Sequence, residues 1–203
     1  MSGAPYRLTK RFLDVLGGTI GLVLFLVLFP FIGLAIVLNS RGPILVKLDR
    51  VSQGKTIKLY KFRSMTEDAA SRKSEFAHLN ERTDGPFFKI KNDPRLTRVG
   101  KVIRKFRFDE VPQFINVLSG ELSLVGPRPH EPAEVAAYPA EFVFLSKEKA
   151  GITGLSQVNG ASSLPFLKEL ELDSGYVRNQ SLGMDLKIIG KTVAILLFDP
   201  TAV

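Results

Sequence analysis

Hydrophobic and polar positions are distributed unevenly along this chain. From Val15 to Leu38 no charged residue occurs over 24 consecutive positions, more than the ~20 apolar residues with which a helix crosses a bilayer. The run is longer than the roughly 7 to 15 apolar residues of a cleavable signal, and no small-residue cleavage site follows it, so the segment is expected to persist in the mature protein. Pro30 lies inside the run, where it removes a backbone donor and favours a bend. Arg7, Lys10 and Arg11 precede the run and Arg41 follows it. Positive charge favours the cytoplasmic side, so these flanks predict a re-entrant helix, broken at Pro30, that enters and leaves on one face. A single-pass helix with a proline kink is the alternative reading.

Past Arg41-Gly42-Pro43 the pattern changes period. Residues 44–48 and 56–62 alternate around Gln53-Gly54-Lys55, which predicts a β-hairpin. Residues 66–80 read as a polar helix, and Thr83 to Pro94 as a loop carrying Asp-Gly-Pro and Asn-Asp-Pro turn signals. Residues 96–105, 111–118 and 133–147 read as helices, the second ending at Ser119-Gly120. Leu186, Ile189, Val193, Leu196 and Leu197 share a broad apolar face, which suits a core helix or an amphipathic helix at a membrane interface. The chain thus reads as mainly α with a small β-hairpin, an α+β arrangement: a membrane anchor over residues 1–41 and a cytoplasmic globular domain over 42–203.

Composition narrows the chemistry. A formal charge of +8 over 203 residues implies an anionic partner: nucleic acid, anionic lipid or a phosphorylated substrate. Without cysteine, disulfides, thiolate catalysis and cysteine-ligated zinc are excluded. With His78 and His130 as the sole histidines, any metal is expected to be a hard, oxygen-liganded ion such as magnesium. Between Lys89 and Arg107 stand eight basic residues and one acid, Asp93. Little aromatic interleaving and no nucleic-acid motif accompany them, which argues against nucleic acid.

Directly after this cluster comes Asp109-Glu110-Val111-Pro112-Gln113. Proline suits the first turn of a helix, which places Asp109 at or near an N-cap and Glu110 just inside. A carboxylate there is either a cap or an ionised group facing incoming phosphate. In the second case an Asp among cations can attack phosphorus while its neighbour holds magnesium. Downstream, Gly126-Pro127-Arg128-Pro129 presents a guanidinium from a rigid loop, suited to bidentate phosphate contact. At the hairpin's end, Lys61 and Arg63 flank Phe62, as solvated residues or as further phosphate contacts.

Taken in order, these stretches resemble the bacterial sugar transferases, the polyprenyl-phosphate hexose-1-phosphate transferases (monotopic phosphoglycosyl transferases). The likeness rests on residues 10–14, Tyr60-Lys61-Phe62-Arg63-Ser64-Met65, residues 88–95, Arg104 with residues 109–113, Asn116-Val117-Leu118, residues 123–129 and residues 151–160. It covers roughly Arg7 to Leu197 and is strongest to the catalytic portions of longer enzymes that start polysaccharide repeat units. It implies a re-entrant anchor at the cytoplasmic face of the bacterial inner (plasma) membrane. It also implies a double displacement in which Asp109 attacks the sugar-bearing phosphate of a UDP-sugar, uridine monophosphate leaves, and polyprenyl (undecaprenyl) phosphate takes the phosphosugar. Glu110 would join Asp109 at Mg2+, and Lys61, Arg104 and Arg128 fall where the family has cations near the phosphates.

The chain departs from the family pattern at Phe29, where Ser is common, at Leu48, usually Gln, at Lys149-Ala150, usually Arg-Pro, and at Ala161, usually Arg. Two rival readings stand beside it: a membrane-anchored basic binding protein, and an ordinary glycosyltransferase that releases uridine diphosphate. Neither the sugar nor the oligomeric state is readable from the residues.

Overall fold

The computed structural model describes residues 4–82, 84–160 and 163–198. The apolar run forms α1 (Ala4–Asn39), and Pro30 lies within this helix instead of ending it. The break expected at Pro30 is therefore not an interruption of the helix. Asp14, Gly18, Gly21, Phe25, Ile32, Gly33 and Ile36 are its buried positions among the described residues, a spacing mostly of three and four residues or their sum that marks one packed stripe. The opposite stripe, including Phe12, Ile20, Val23, Phe31 and Leu38, is exposed. Gly21 is needed where α1 presses on the body, because a Cβ there would lie 2.2 Å from the Phe114 ring.

The hairpin appears as predicted. Strands β1 (Leu45–Ser52) and β2 (Lys55–Phe62) pair antiparallel with Ser52 opposite Lys55. Gln53 and Gly54 both take positive φ, 55° and 71°, as a two-residue turn matched to strand twist requires. Helix α2 (Arg98–Lys105) follows the loop over 84–97, capped by Thr97 Oγ1, which accepts from Gly100 N at 2.8 Å. A Cβ on Gly100 would lie 1.8 Å from the Ser64 carbonyl oxygen, so glycine permits α2 to sit against the end of the hairpin.

The expected helix over 111–118 is two elements. A 3-10 helix covers Phe108–Gln113 and leads into α3 (Phe114–Ser119), closed by Gly120 at φ 85°. Its N-cap is Arg107, at φ 55°, so Asp109 and Glu110 lie in the first turn and Asp109 is no cap. Two other expected helices are corrected. Residues 66–80 hold only 3-10 turns, Ser71–Lys73 and Ala77–Leu79, neither with a buried residue; without an apolar stripe to pack, a helix of that length has little to stabilise it. The segment 133–147 splits into α4 (Pro132–Ala136) and a 3-10 helix over Ala140–Lys147, because Pro139 disfavours helical backbone at Tyr138 and supplies no N–H.

Strands β3 (Ser123–Val125) and β4 (Gly151–Thr153) form a short parallel pair, and helices α5 (Phe166–Arg178) and α6 (Leu182–Phe198) follow. On α6, Ile188 is buried while Leu186, Val193, Leu196 and Leu197 are exposed, so much of its apolar face is not core. One core joins Phe25, Ile32 and Ile36 of α1 with Phe62, Ile103 and Val111. Burying each such side chain contributes ~1.5–3 kcal/mol, so α1 walls the same body that carries the carboxylates. Both ends of α1 are also hydrogen-bonded to that body. Arg11 donates to the Val117 and Leu118 carbonyls at 2.8 and 2.9 Å, and Asp14 accepts from Ser123 Oγ and Leu124 N, each at 2.8 Å. At the far end Asn39 Oδ1 accepts from Val99 N at 3.1 Å.

Candidate functional site

The site forms where the end of β2 meets the 3-10 helix. Asn116, fully buried on α3, registers the two: its Oδ1 accepts from Tyr60 N at 3.1 Å and its Nδ2 donates to the Lys58 carbonyl at 3.0 Å. This clamps the strand edge one residue before Lys61. Lys61 Nζ then lies 2.6 Å from Glu110 Oε1 and 3.8 Å from Asp109 Oδ2. One ammonium thus serves two adjacent carboxylates.

Those carboxylates differ in surroundings. The Asp109 side chain is 8% exposed and that of Glu110 33%. Burial pushes the Asp109 carboxyl above the ordinary range, helped by the neighbouring Glu110 and opposed by Lys61 and Arg104. For Glu110 burial also pushes upward, but the charge and hydrogen bond of Lys61, with Arg128 and Arg107, outweigh it and hold the carboxyl below the ordinary range. Glu110 is therefore the anion already compensated by the protein. Asp109 carries a charge that further positive charge would stabilise.

Lys61, Arg104 and Arg128 thus converge electrostatically on the pair. Arg104 is held by donating from Nε to Ser64 Oγ at 3.0 Å. Arg107 joins them beside Glu110. In the sequence it was one of eight similar cations, and only its left-handed backbone at the start of the turn sets it apart.

Arg63, a candidate phosphate ligand by sequence, is engaged elsewhere. Its Nε donates to the Pro43 carbonyl, Nη1 to Ser40 Oγ and the Arg41 carbonyl, and Nη2 to the Ser40 and Gly42 carbonyls, at 2.6 to 3.2 Å. All five of its N–H donors are so occupied. It closes the C-terminal end of α1, and the site's cations are Lys61, Arg104, Arg107 and Arg128.

The basic cluster is likewise no free cationic stripe. Arg95 forms a buried pair with Asp93 at 2.6 Å, in which the guanidinium holds the Asp93 carboxyl below its ordinary range. Of the departures, Phe29 packs edge-on to Phe25 with centroids 5.3 Å apart and lies 6.1 Å from Phe62. Leu48 and Ala150 pack with Leu59, Val117 and Leu122. The Lys149 ammonium is pushed down by burial, and Ala161 lies outside the described residues.

Against known proteins, the family model described as "Bacterial sugar transferase" matches residues 5–199. The chain belongs to the bacterial sugar transferase family. It is 38% identical to the galactosyl transferase CpsE of Streptococcus agalactiae serotype III (strain NEM316) over 194 residues, covering 95% of this chain and 43% of that protein. It is 36% identical to the exopolysaccharide production protein ExoY of Rhizobium meliloti (strain 1021) over 190 residues, 92% of this chain and 84% of ExoY. It is 38% identical to the UDP-glucose:undecaprenyl-phosphate glucose-1-phosphate transferase of Escherichia coli (strain K12) over 196 residues, 92% of this chain and 40% of that enzyme. This sugar transferase chain therefore spans less than half of CpsE and of the E. coli enzyme, and most of ExoY.

Proposed function

We propose that this chain is a phosphoglycosyl transferase that moves a hexose-1-phosphate from a UDP-sugar to a polyprenyl phosphate, the first membrane step of polysaccharide or glycoconjugate assembly. The observation that carries the proposal is the Lys61 ammonium set against Asp109 and Glu110, with Arg104, Arg107 and Arg128 felt at the same carboxylates. Phosphoryl transfer depends mainly on positioning and on offsetting charge, which a cluster of cations around two adjacent carboxylates suits.

An Asp109 carboxylate oxygen attacks the sugar-bearing phosphorus. The bond from that phosphorus to the bridging oxygen breaks, and uridine monophosphate leaves with both bond electrons. The acyl phosphosugar is then attacked at phosphorus by a polyprenyl phosphate oxygen, which restores the Asp109 carboxylate and yields the polyprenyl diphosphate sugar. Lys61 and Arg104 favour the ionised nucleophile. Arg128 and Arg107 offset the diphosphate charge.

No cluster of three or more His, Cys, Asp or Glu suited to a metal exists among the described residues. Two adjacent carboxylates do fit magnesium, which commonly takes one or two carboxylates and completes its shell with water and substrate phosphates. Asp109 and Glu110 would hold it, and bound Mg2+ would neutralise phosphate charge. The buried, incompletely compensated Asp109 carboxyl suits such an ion.

The acceptor's phosphate sits at a membrane surface, and the site must be there too. We place the chain at the cytoplasmic face of the bacterial plasma membrane, with α1 as a re-entrant anchor. Support comes from the tethering of both ends of α1 to one body and from the exposed apolar stripe opposite its packed face, which lipid would cover. The test is the leaving nucleotide. Incubation with a panel of UDP-hexoses and UDP-N-acetylhexosamines, magnesium and polyprenyl phosphate is expected to release uridine monophosphate, and Asp109→Asn to abolish it without changing membrane extraction. Release of uridine diphosphate would assign the chain an ordinary glycosyltransferase reaction instead.

A further inference from the structure

Helix α5 carries two acids one turn apart, Glu169 and Asp173, each 1% exposed, and both engage the loop that bears Arg128. Asp173 Oδ2 accepts from the Arg128 backbone N at 2.9 Å and Oδ1 from Ser156 N at 3.4 Å. Glu169 addresses the side chain: its Oε1 lies 3.7 Å from Arg128 Nε. The same oxygen lies 2.7 Å from His130 Nε2, and His130 Nδ1 is hydrogen-bonded to the Tyr138 hydroxyl. An ionised carboxylate can only accept, so His130 Nε2 donates to Glu169 Oε1. Phe87 packs on the imidazole at 4.8 Å and fixes its plane.

The Glu169 carboxyl stays ionised in this setting. Burial pushes it upward, but the His130 hydrogen bond and the charges of Arg128, His130 and Arg82 hold it below the ordinary range. Arg128, by contrast, keeps a side chain 35% exposed, and among the described residues its Nη1 and Nη2 make no hydrogen bond. A guanidinium held at its Nε edge leaves the Nη edge for a bidentate contact with phosphate.

We propose that Glu169 is a positioning residue for UDP-sugar binding: with its carboxylate fixed by His130 and Tyr138, it anchors the Nε edge of Arg128 so that the Nη edge meets the diphosphate. This rests on the reading of Arg128 as a phosphate ligand given above. Asp173 holds the backbone of the same residue, so α5 sets both the place of Arg128 and its direction.

The experiment is steady-state release of uridine monophosphate by the full chain in nanodiscs, with UDP-sugar varied, for wild type, Glu169→Gln, Arg128→Lys and the double variant. Glu169→Gln retains an acceptor for His130 and loses the charge that anchors Arg128. It is expected to raise the UDP-sugar KM about tenfold, with kcat within about threefold of wild type, as the loss of a ground-state binding contact does. Arg128→Lys is expected to raise KM at least as much, and the double variant to be no worse than Arg128→Lys, since Glu169 acts only through that residue. Additive losses in the double variant, or a wild-type KM in Glu169→Gln beside a raised KM in Arg128→Lys, would overturn this inference alone. A wild-type KM in Arg128→Lys would overturn both it and the phosphate role of Arg128. Glu169→Asp keeps the charge and withdraws it by one methylene, so it serves if the Gln variant is not recovered folded. A raised KM is expected there too, and a wild-type KM would refute the anchoring.

Discussion

Arg63 separates two roles that look alike in sequence, a phosphate contact and a chain clasp. The residue is 3% exposed, and its side chain makes five hydrogen bonds to residues 40–43. Arg63→Met would leave four carbonyls and one hydroxyl without their donors where α1 turns into the hairpin. Hydrogen bonds from a charged donor are worth ~1.5–3 kcal/mol each. Residues 41–43 are exposed, so water can replace part of that set, and a net loss of about 3–5 kcal/mol is the reasoned value. Against a total stability of roughly 5–15 kcal/mol this is large, and at 2–4 °C per kcal/mol for a chain of this size it lowers Tm by roughly 10 °C. Arg63→Lys, with one compact ammonium, should lose about half as much. The assay is thermal unfolding by circular dichroism in detergent, paired with the UDP-sugar KM of the folded variant. The expected result is a lowered Tm with KM within about twofold of wild type. An unchanged Tm with a KM raised tenfold or more would return Arg63 to the phosphate-binding set and refute the clasp.

Two further outcomes follow from the site and its support. Lys61→Met removes the ammonium that Asp109 and Glu110 share and is expected to lower kcat by about 10²-fold or more; uridine monophosphate release within a few-fold of wild type would remove Lys61 from the site. Asp173 is pushed up to about 6 by burial, against its backbone hydrogen bond from Arg128. Its folded value exceeds the unfolded one, so its protonated form favours the fold: the contribution is complete below about pH 4 and lost as pH rises through about 6, worth up to roughly 3 kcal/mol. Asp173→Asn should flatten the stability profile between about pH 4 and 6, and an unaltered slope there would refute the assignment.

How far the sequence was legible depended on whether a pattern was reinforced by packing. The hairpin was readable because alternation and Gln53-Gly54 agree, and α1 because its apolar run is long and flanked by charge. The 66–80 segment misled because its scattered apolar positions resembled a stripe, of which the fold buries Ala69 alone. The 133–147 segment misled because Pro139 was read through. Lys61 and Arg63 looked equivalent, yet β2 ends at Phe62, so strand alternation no longer governs Arg63 and its long side chain folds back onto residues 40–43. Asp109 and Glu110 were readable as a pair through the ordered motifs around them, although the turn that carries them starts earlier than proline placement suggested. Glu169 and Asp173 were not readable at all. Acids at helical spacing look like a solvated face, and only the fold buries them beneath Arg128. The β3–β4 pair escaped notice because two three-residue strands joined across a long connection leave no periodic signal.

The covalent role of Asp109 is the central claim, and its most direct test is a single-turnover experiment without acceptor. Wild-type protein is mixed with magnesium and a UDP-sugar labelled in the sugar-bearing phosphate, polyprenyl phosphate being omitted, and the protein is then digested and mapped. Uridine monophosphate is expected to be released in an amount approaching that of the protein, with label on the peptide containing Asp109 that is discharged when polyprenyl phosphate is added. Formation of labelled lipid product by a protein that never carries label, or label on a residue other than Asp109, would contradict the claim.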